Sequence, residues 1–181
     1  MSETLVQHLE KHLGRIAQGW ADTGDIQVVQ FPNQPHRDVV TYSTLGLSST
    51  PLLTPGGRTM RQELLISVGC TFEPKEIASF LLTFAEHVRG QHGALLRGDV
   101  VGPSEPLIPG ARSRAVYASI PVFFEDDFAT YPGSSPPTVL VWLIPLPLED
   151  AILAKAHGWE AFEEMLETAD VDFWDLNRLP I

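Results

Sequence analysis

Leu5, Leu9, Leu13, Ile16 and Trp20 recur at three- and four-residue intervals, while the positions between them are largely polar. That period is helical and predicts an amphipathic helix over residues 3–20, laid on the domain and ended by Asp22, Gly24 and Asp25. IQVVQF (26–31) and DVVTYSTL (38–45) are rich in β-branched side chains, and PNQPHR between them supplies a turn. Two strands are expected there, with a third at RQELLISV, 61–68. Ile77, Phe80, Leu81, Phe84, Ala85 and Val88 form a second apolar stripe, with Pro74 suited to its first turn and Gly90 and Gly93 after its last. SRAVYASIPVFF (113–124) alternates in part, and TVLVWLI (138–144) is apolar throughout, as a central strand covered on both faces must be. Pro147 can open a third helix, with Glu149 and Asp150 favourably placed in its first turn and Gly158 at its end. A fourth helix is expected from Trp159 to about Thr168, burying Trp159, Phe162 and Leu166.

Strands and helices come in clumps instead of alternating, which points to the α+β class: a mixed, largely antiparallel sheet covered by helices. At 181 residues and 44% hydrophobic, the chain can bury a core that offsets its ordering entropy as one domain, 1–181. Three loops rich in Pro, Gly and Ser, at 48–59, 102–112 and 131–137, connect elements within that domain. The single cysteine, Cys70, excludes an internal disulfide, fits a reducing compartment and reads as a buried, inert thiol after a strand. The first twenty residues lack the basic cap and apolar run of a signal peptide, and the longest apolar run, Thr138 to Leu148, is too short to span a bilayer. A cytoplasmic location follows as the expectation, with no role for a membrane.

Charge changes the picture more. The net charge is -11, and its halves differ: residues 1–90 carry 7 Lys+Arg against 9 Asp+Glu, residues 91–181 carry 5 against 14. From Glu149 onward the acids include Asp150, Glu160, Glu163, Glu164, Glu167, Asp170, Asp172 and Asp175, with Lys155 the one cation before Arg178. A nucleic-acid surface needs clustered Lys and Arg to neutralise phosphates, so nucleic acid is excluded as a partner. The acids form either a solvated helix face or a surface that steers a basic protein partner.

Candidate chemistry is sparse. TYSTLGLSS (41–49) contains Gly46-Leu47-Ser48, but a nucleophile elbow requires G-x-S-x-G, and here the second glycine is missing and Pro51 follows. The serines are expected to bond locally to backbone. His8 and His12 sit at i and i+4 in HLEKH, but Glu10 does not occupy the general-base position of H-E-x-x-H and no third ligand stands near in sequence, so no metal site is assigned. The glycines match neither a dinucleotide fingerprint nor a P-loop, and no cofactor is expected. Phe124, Glu125, Asp126, Asp127 and Phe128 form an acidic triplet between aromatics, a composition suited to a recognition patch on a strand end or hairpin loop.

Several blocks stand in a fixed order: YSTLGLS (42–48), RQELL (61–65), LIPLPLEDAILAKAHGWEAFEEML (143–166) and DLNR (175–178). Together they resemble the Suppressor-of-fused (SUFU-like) domain family, in its stand-alone bacterial form. The strand ending in Thr-x-Gly-Leu-Ser, the Glu-Leu strand, and Pro145, Glu149, Gly158 and the closing Asp175 and Arg178 are similar to the family's elements. The resemblance implies a single mixed α/β module without catalytic residues. In animals the related domain is one lobe of a larger regulator that holds a transcription factor; this chain has one lobe's length. For stand-alone bacterial members it implies an immunity protein that neutralises a cognate secreted toxin.

The expected function is therefore a non-catalytic protein-binding module of the immunity type, with a basic secreted toxin as its partner. The candidate contact residues are Phe124, Glu125, Asp126, Asp127 and Phe128, together with Glu160, Glu163 and Glu164. The alternative is a regulatory domain that binds a peptide or small ligand. A serine hydrolase using Ser48 or Ser49 with His36 or His157 is the lesser rival.

Overall fold

The computed structural model describes residues 2–181. Thr4 begins the first helix through a reciprocal cap, its hydroxyl accepting from the Gln7 N–H while the Gln7 side chain accepts from Thr4 N–H, and α1 runs Leu5–Leu13. It stops well short of Trp20. Gly14, at φ +81°, turns the chain away, and the Glu10 carboxylate takes up the Ile16 N–H beyond the end. Gln18–Ala21 then forms strand β1, with Trp20 opposite Val28 of β2, Gln27–Pro32. The last member of the expected helical stripe, Trp20, thus belongs to a strand, and Ile16 lies in the irregular stretch before it.

β3 (Val39–Leu45), β4 (Leu52–Leu53) and β5 (Thr59–Gly69) follow, then α2, Pro74–Gln91. Gly90 lies inside this helix; the left-handed cap is His92, at φ +55°. Two short strands, β6 (Val100–Val101) and β8 (Thr130–Tyr131), flank β7 (Ala115–Ser119), which ends before Pro121 instead of continuing to Phe124. β9 (Thr138–Leu146), α3 (Leu148–His157) and α4 (Trp159–Thr168) match the expected positions closely. Gly158, at φ +81°, separates the two helices.

The strands form one sheet in the order β1-β2-β3-β5-β9-β7-β6, with β4 on β5 and β8 on β9. All pairings are antiparallel except β5 with β9, where Arg61 lies opposite Thr138 and Leu65 opposite Trp142. This is the mixed, mostly antiparallel α+β sheet expected, with four α-helices among the described residues. No helix among them is long and apolar enough to cross a membrane.

Because side chains alternate along a strand, β9 feeds both faces. Val141 and Leu143 join Val40, Tyr42, Leu64 and Ile66 beneath the Ile77, Leu81 and Ala85 stripe of α2. The opposite face is divided. Leu140 packs with Leu9 and Leu13 of α1, whereas Trp142, Ile144 and Leu146 pack with Ala151, Ala154, Phe162 and Leu166 of α3 and α4. Between those two helical covers the face is closed only by loops, and that gap is where the most distinctive surface lies. Trp159, expected in the core, is 40% exposed at the start of α4.

TYSTLGLSS is organised by a residue well downstream. β3 ends at Leu45, and Gly46 takes φ +113°, where an added Cβ would stand 2.6 Å from the Asp25 carbonyl oxygen. The fully buried Glu63 carboxylate then accepts from Thr44 Oγ1 at 2.5 Å, Gly46 N at 3.0 Å, Ser48 N at 3.1 Å and Ser48 Oγ at 2.7 Å. Ser48 therefore bonds across the sheet, not locally to backbone. Arg61 completes the turn by donating to the Ser48 and Ser49 carbonyls at 2.6 and 3.1 Å.

Candidate binding surface

Past Ser119 the chain leaves the sheet, and Pro121 carries it over the gap between α1 and α4. Phe123 points down into that gap. Its ring lies 5.3 Å from Trp142 of β9, 4.9 Å from Trp174 and 5.8 Å from Phe173, both of which arrive on the segment after α4. His36, from the turn between β2 and β3, stands edge-on to Phe123 at 6.0 Å and to Trp174 at 5.7 Å. Edge-to-face contact of this kind is favourable beyond the area it buries. The cluster floors a hollow of about 390 Å³.

Charge surrounds it. Glu163 and Glu167, one turn apart on α4, and Asp170 just beyond the helix line the hollow with Arg97. Arg97 donates through Nε and Nη2 to the two Glu163 oxygens, and its guanidinium lies 4.8 Å over the Trp159 ring. The carboxylate beside it holds the Arg97 guanidinium even further above the usual titration range. Tyr117, fully buried beneath, donates its hydroxyl to Glu163 Oε1 at 2.9 Å, and burial followed by that carboxylate pushes its phenol well above the ordinary tyrosine range. Glu163 is thus tied inside the molecule. Glu167 and Asp170 take no side-chain hydrogen bond or ion pair among the described residues and face the opening.

The candidates expected from sequence are distributed unevenly around this feature. Phe128 is fully buried and Phe124 packs against it at 4.9 Å, both in the α1 cluster with Leu9 and Phe31. Neither offers an aromatic anchor, because the short 3₁₀ turn Asp126–Ala129 folds them toward α1 and leaves Phe123, 39% exposed, as the ring of this segment that lines the hollow. Glu125, Asp126 and Asp127 are exposed as anticipated. Glu160 and Glu164 are exposed too, but Glu164 borders a separate depression with Leu153 and Met165. Asp150, counted among the surface acids, is 1% exposed and forms a buried ion pair with Arg178, Oδ2 to Nη1, at 2.6 Å. Sequence reasoning missed Trp142, Phe173 and Trp174 in this role, placed His36 only as a hydrolase candidate, and named Glu167 and Asp170 only within the acidic run. The only sequence signal was the DFWD run at 172–175, aromatics set between acids.

His8 and His12 do not act as a pair. His8 turns to the Phe128 carbonyl at 3.0 Å, while His12 Nδ1 lies 3.2 Å from Glu125 Oε2 and its Nε2 3.9 Å from Asp127 Oδ2. His12, Glu125 and Asp127 have ligand atoms within 4.8 Å of one another and could hold a divalent cation. Lys11 already reaches Asp127 at 3.5 Å, so the arrangement also serves as a charged clasp between α1 and the 123–128 loop. Cys70 is exposed, since β5 ends at Gly69 and the chain turns outward there.

The sequence profile described as Suppressor of fused protein (SUFU) matches residues 22–179. Immunity protein YqcF of Bacillus subtilis (strain 168) is 22% identical over 170 residues, covering 91% of this chain and 86% of that protein. Among solved structures, a putative SUFU homologue from Neisseria gonorrhoeae superposes with a TM-score of 0.72 at 22% identity, over 95% of this chain and 91% of the other. A Sufu–Fu complex gives 0.68 at 12% identity, over 90% and 82%. Drosophila Suppressor of Fused gives 0.63 at 12% identity over 85% of this chain, which spans 42% of that longer one.

Proposed function

Because the chain belongs to the Suppressor of fused (SUFU) family, we propose that it is a non-catalytic protein-binding module acting as an immunity-type inhibitor of a basic toxin inside the cell. The observation that carries this reading is the aromatic hollow with its acidic rim: rings that supply buried contact area beside carboxylates that attract a cationic surface. The net charge of -11, concentrated in the second half, favours fast encounter with a basic protein. The relationship to a protein named as an immunity protein supports the same assignment.

The chemistry expected of a hydrolase finds no support. Ser48 donates its hydroxyl to Glu63, and His36 lies within the aromatic cluster against Phe123 and Trp174. A regulatory peptide-binding role draws on one observation, the mostly exposed edge strand β1, which pairs on one side only.

The test is co-expression with the product of a neighbouring gene that is toxic when expressed alone. Restored growth together with a stable complex is the expected result; undiminished killing overturns the immunity reading. Glu160→Lys with Glu164→Lys should slow association and flatten its salt dependence.

A further inference from the structure

The acidic hollow has a shape and chemistry that select among cations. We infer that it receives one arginine side chain of the partner, a proposal that rests on the protein-binding reading and specifies its central contact.

The floor is aromatic: Phe123, Trp142, Phe173 and Trp174 lie with neighbouring ring centroids 4.9 to 6.4 Å apart. The rim places Glu167 and Asp170 over that floor without internal partners among the described residues. An anion would meet three carboxylates against Arg97 alone. A neutral apolar group would desolvate Glu167 and Asp170 with nothing in return. A cation that is also flat satisfies both surfaces, stacking on the rings while its N–H groups fork to the carboxylates, and among protein side chains that is arginine. Lysine presents a compact, strongly hydrated point charge that cannot stack and bridge at once.

The molecule already performs this chemistry at the edge of the same hollow. Arg97 lies over Trp159 and forks to Glu163. The open part of the hollow repeats the ingredients, aromatic rings and carboxylates, with the guanidinium left to come from outside. Ile120 and Val122, 43% and 58% exposed on the strand exit that crosses it, provide an apolar shelf beside the opening. Such a shelf suits the residues flanking an arginine in a folded partner, not a free amino acid.

The probe is the peptide Ac-Gly-Arg-Gly-NH₂, compared with its lysine and citrulline counterparts and followed through the indole N–H resonances of the four tryptophans. The arginine peptide should shift the Trp174 indole saturably, with a Kd on the order of millimolar for so small a contact. Lysine should bind at least about fivefold more weakly and citrulline, which keeps the shape and loses the charge, should not saturate. Glu167→Gln with Asp170→Asn should weaken the arginine peptide by about tenfold and leave the remaining spectrum unchanged. Equal response to citrulline or lysine, no saturable shift, or binding indifferent to the double substitution would overturn the proposal. Failure here is distinct from failure of the immunity reading. If wild type restores growth and the double variant protects equally well, only the arginine contact falls; if wild type gives no protection, the immunity role falls while the peptide result stands by itself.

Discussion

Ser48 donates its hydroxyl to Glu63 Oε1 at 2.7 Å, so the one serine in a turn reminiscent of a nucleophile elbow faces inward onto a carboxylate. Glu63 is buried without a cationic partner among the described residues and is solvated by the Thr44 and Ser48 hydroxyls and two backbone N–H groups. Glu63→Gln presents an amide N–H₂ to some of those donors and should cost about 3 kcal/mol in urea unfolding, against about 2 kcal/mol for Ser48→Ala. A fluorophosphonate probe should leave Ser48 unlabelled. Stoichiometric labelling there would revive the hydrolase reading.

Arg178 and Asp150 form a buried pair near the end of the chain, and Asp150 also accepts the Ile181 N–H at 3.0 Å. Arg178→Met strands a buried carboxylate and should lower stability by about 3–5 kcal/mol, whereas Asp150→Leu combined with Arg178→Met should recover most of that loss. Thermal melts of the single and double variants give the comparison. Equal destabilisation in both would mean that packing, not charge, holds the tail.

Tyr117 should stay protonated in the folded protein at pH values where an ordinary tyrosine ionises, since burial and Glu163 both oppose the phenolate. Its folded-state value is raised, so its contribution to stability is complete below about pH 10 and is lost as pH climbs through the folded value. Tyrosinate absorbance and urea midpoints measured across this alkaline range should show a downward slope that Tyr117→Phe reduces. An unchanged slope would assign the alkaline loss to other groups, among them Tyr42, whose phenol is also raised by burial.

Gly98 approaches Trp159 so closely that an added Cβ would lie 2.5 Å from the Trp159 Cβ, at a backbone φ of +93°. Gly98→Ala should therefore cost about 2 kcal/mol and push Trp159 from beneath Arg97. Trp159 should become more exposed, read as a red shift and greater quenching of its fluorescence. A variant that melts as wild type with unchanged emission would show that the loop yields without disturbing the rim.

Much of this architecture was legible because punctuation and period agreed. Pro74, Pro147 and Gly158 bracket helices whose apolar stripes repeat at helical spacing, and Thr138 to Ile144 reads as a covered strand from composition alone. The errors share a cause. Trp20 falls on a helical period with Leu9 and Leu13, but a single left-handed glycine between them resets the chain, and spacing does not record that. FFEDDF reads as a strand end or hairpin loop carrying aromatics and acids, yet which phenylalanine turns to the hollow depends on a 3₁₀ turn without a fixed period. Asp150 looked like one more surface acid because its partner is Arg178 in the closing segment. The hollow draws on His36, Arg97, Phe123, Trp142, Glu167 and Trp174, residues brought together by the pairing of β9 with both β5 and β7 and by the return of the last segment across the sheet. No local pattern encodes that convergence.

The divided helical cover of the sheet has a consequence for what a partner can sense. Because the candidate surface is contributed by segments scattered from the turn after the second strand to the closing tail, no nascent or partly unravelled copy can display it. A partner that docks there inspects the finished molecule, captures only competent copies, and shields its last segment from proteases while it stays bound. Folding and recognition would then share one checkpoint, at which a copy that has lost its tail is also the copy that a partner passes over.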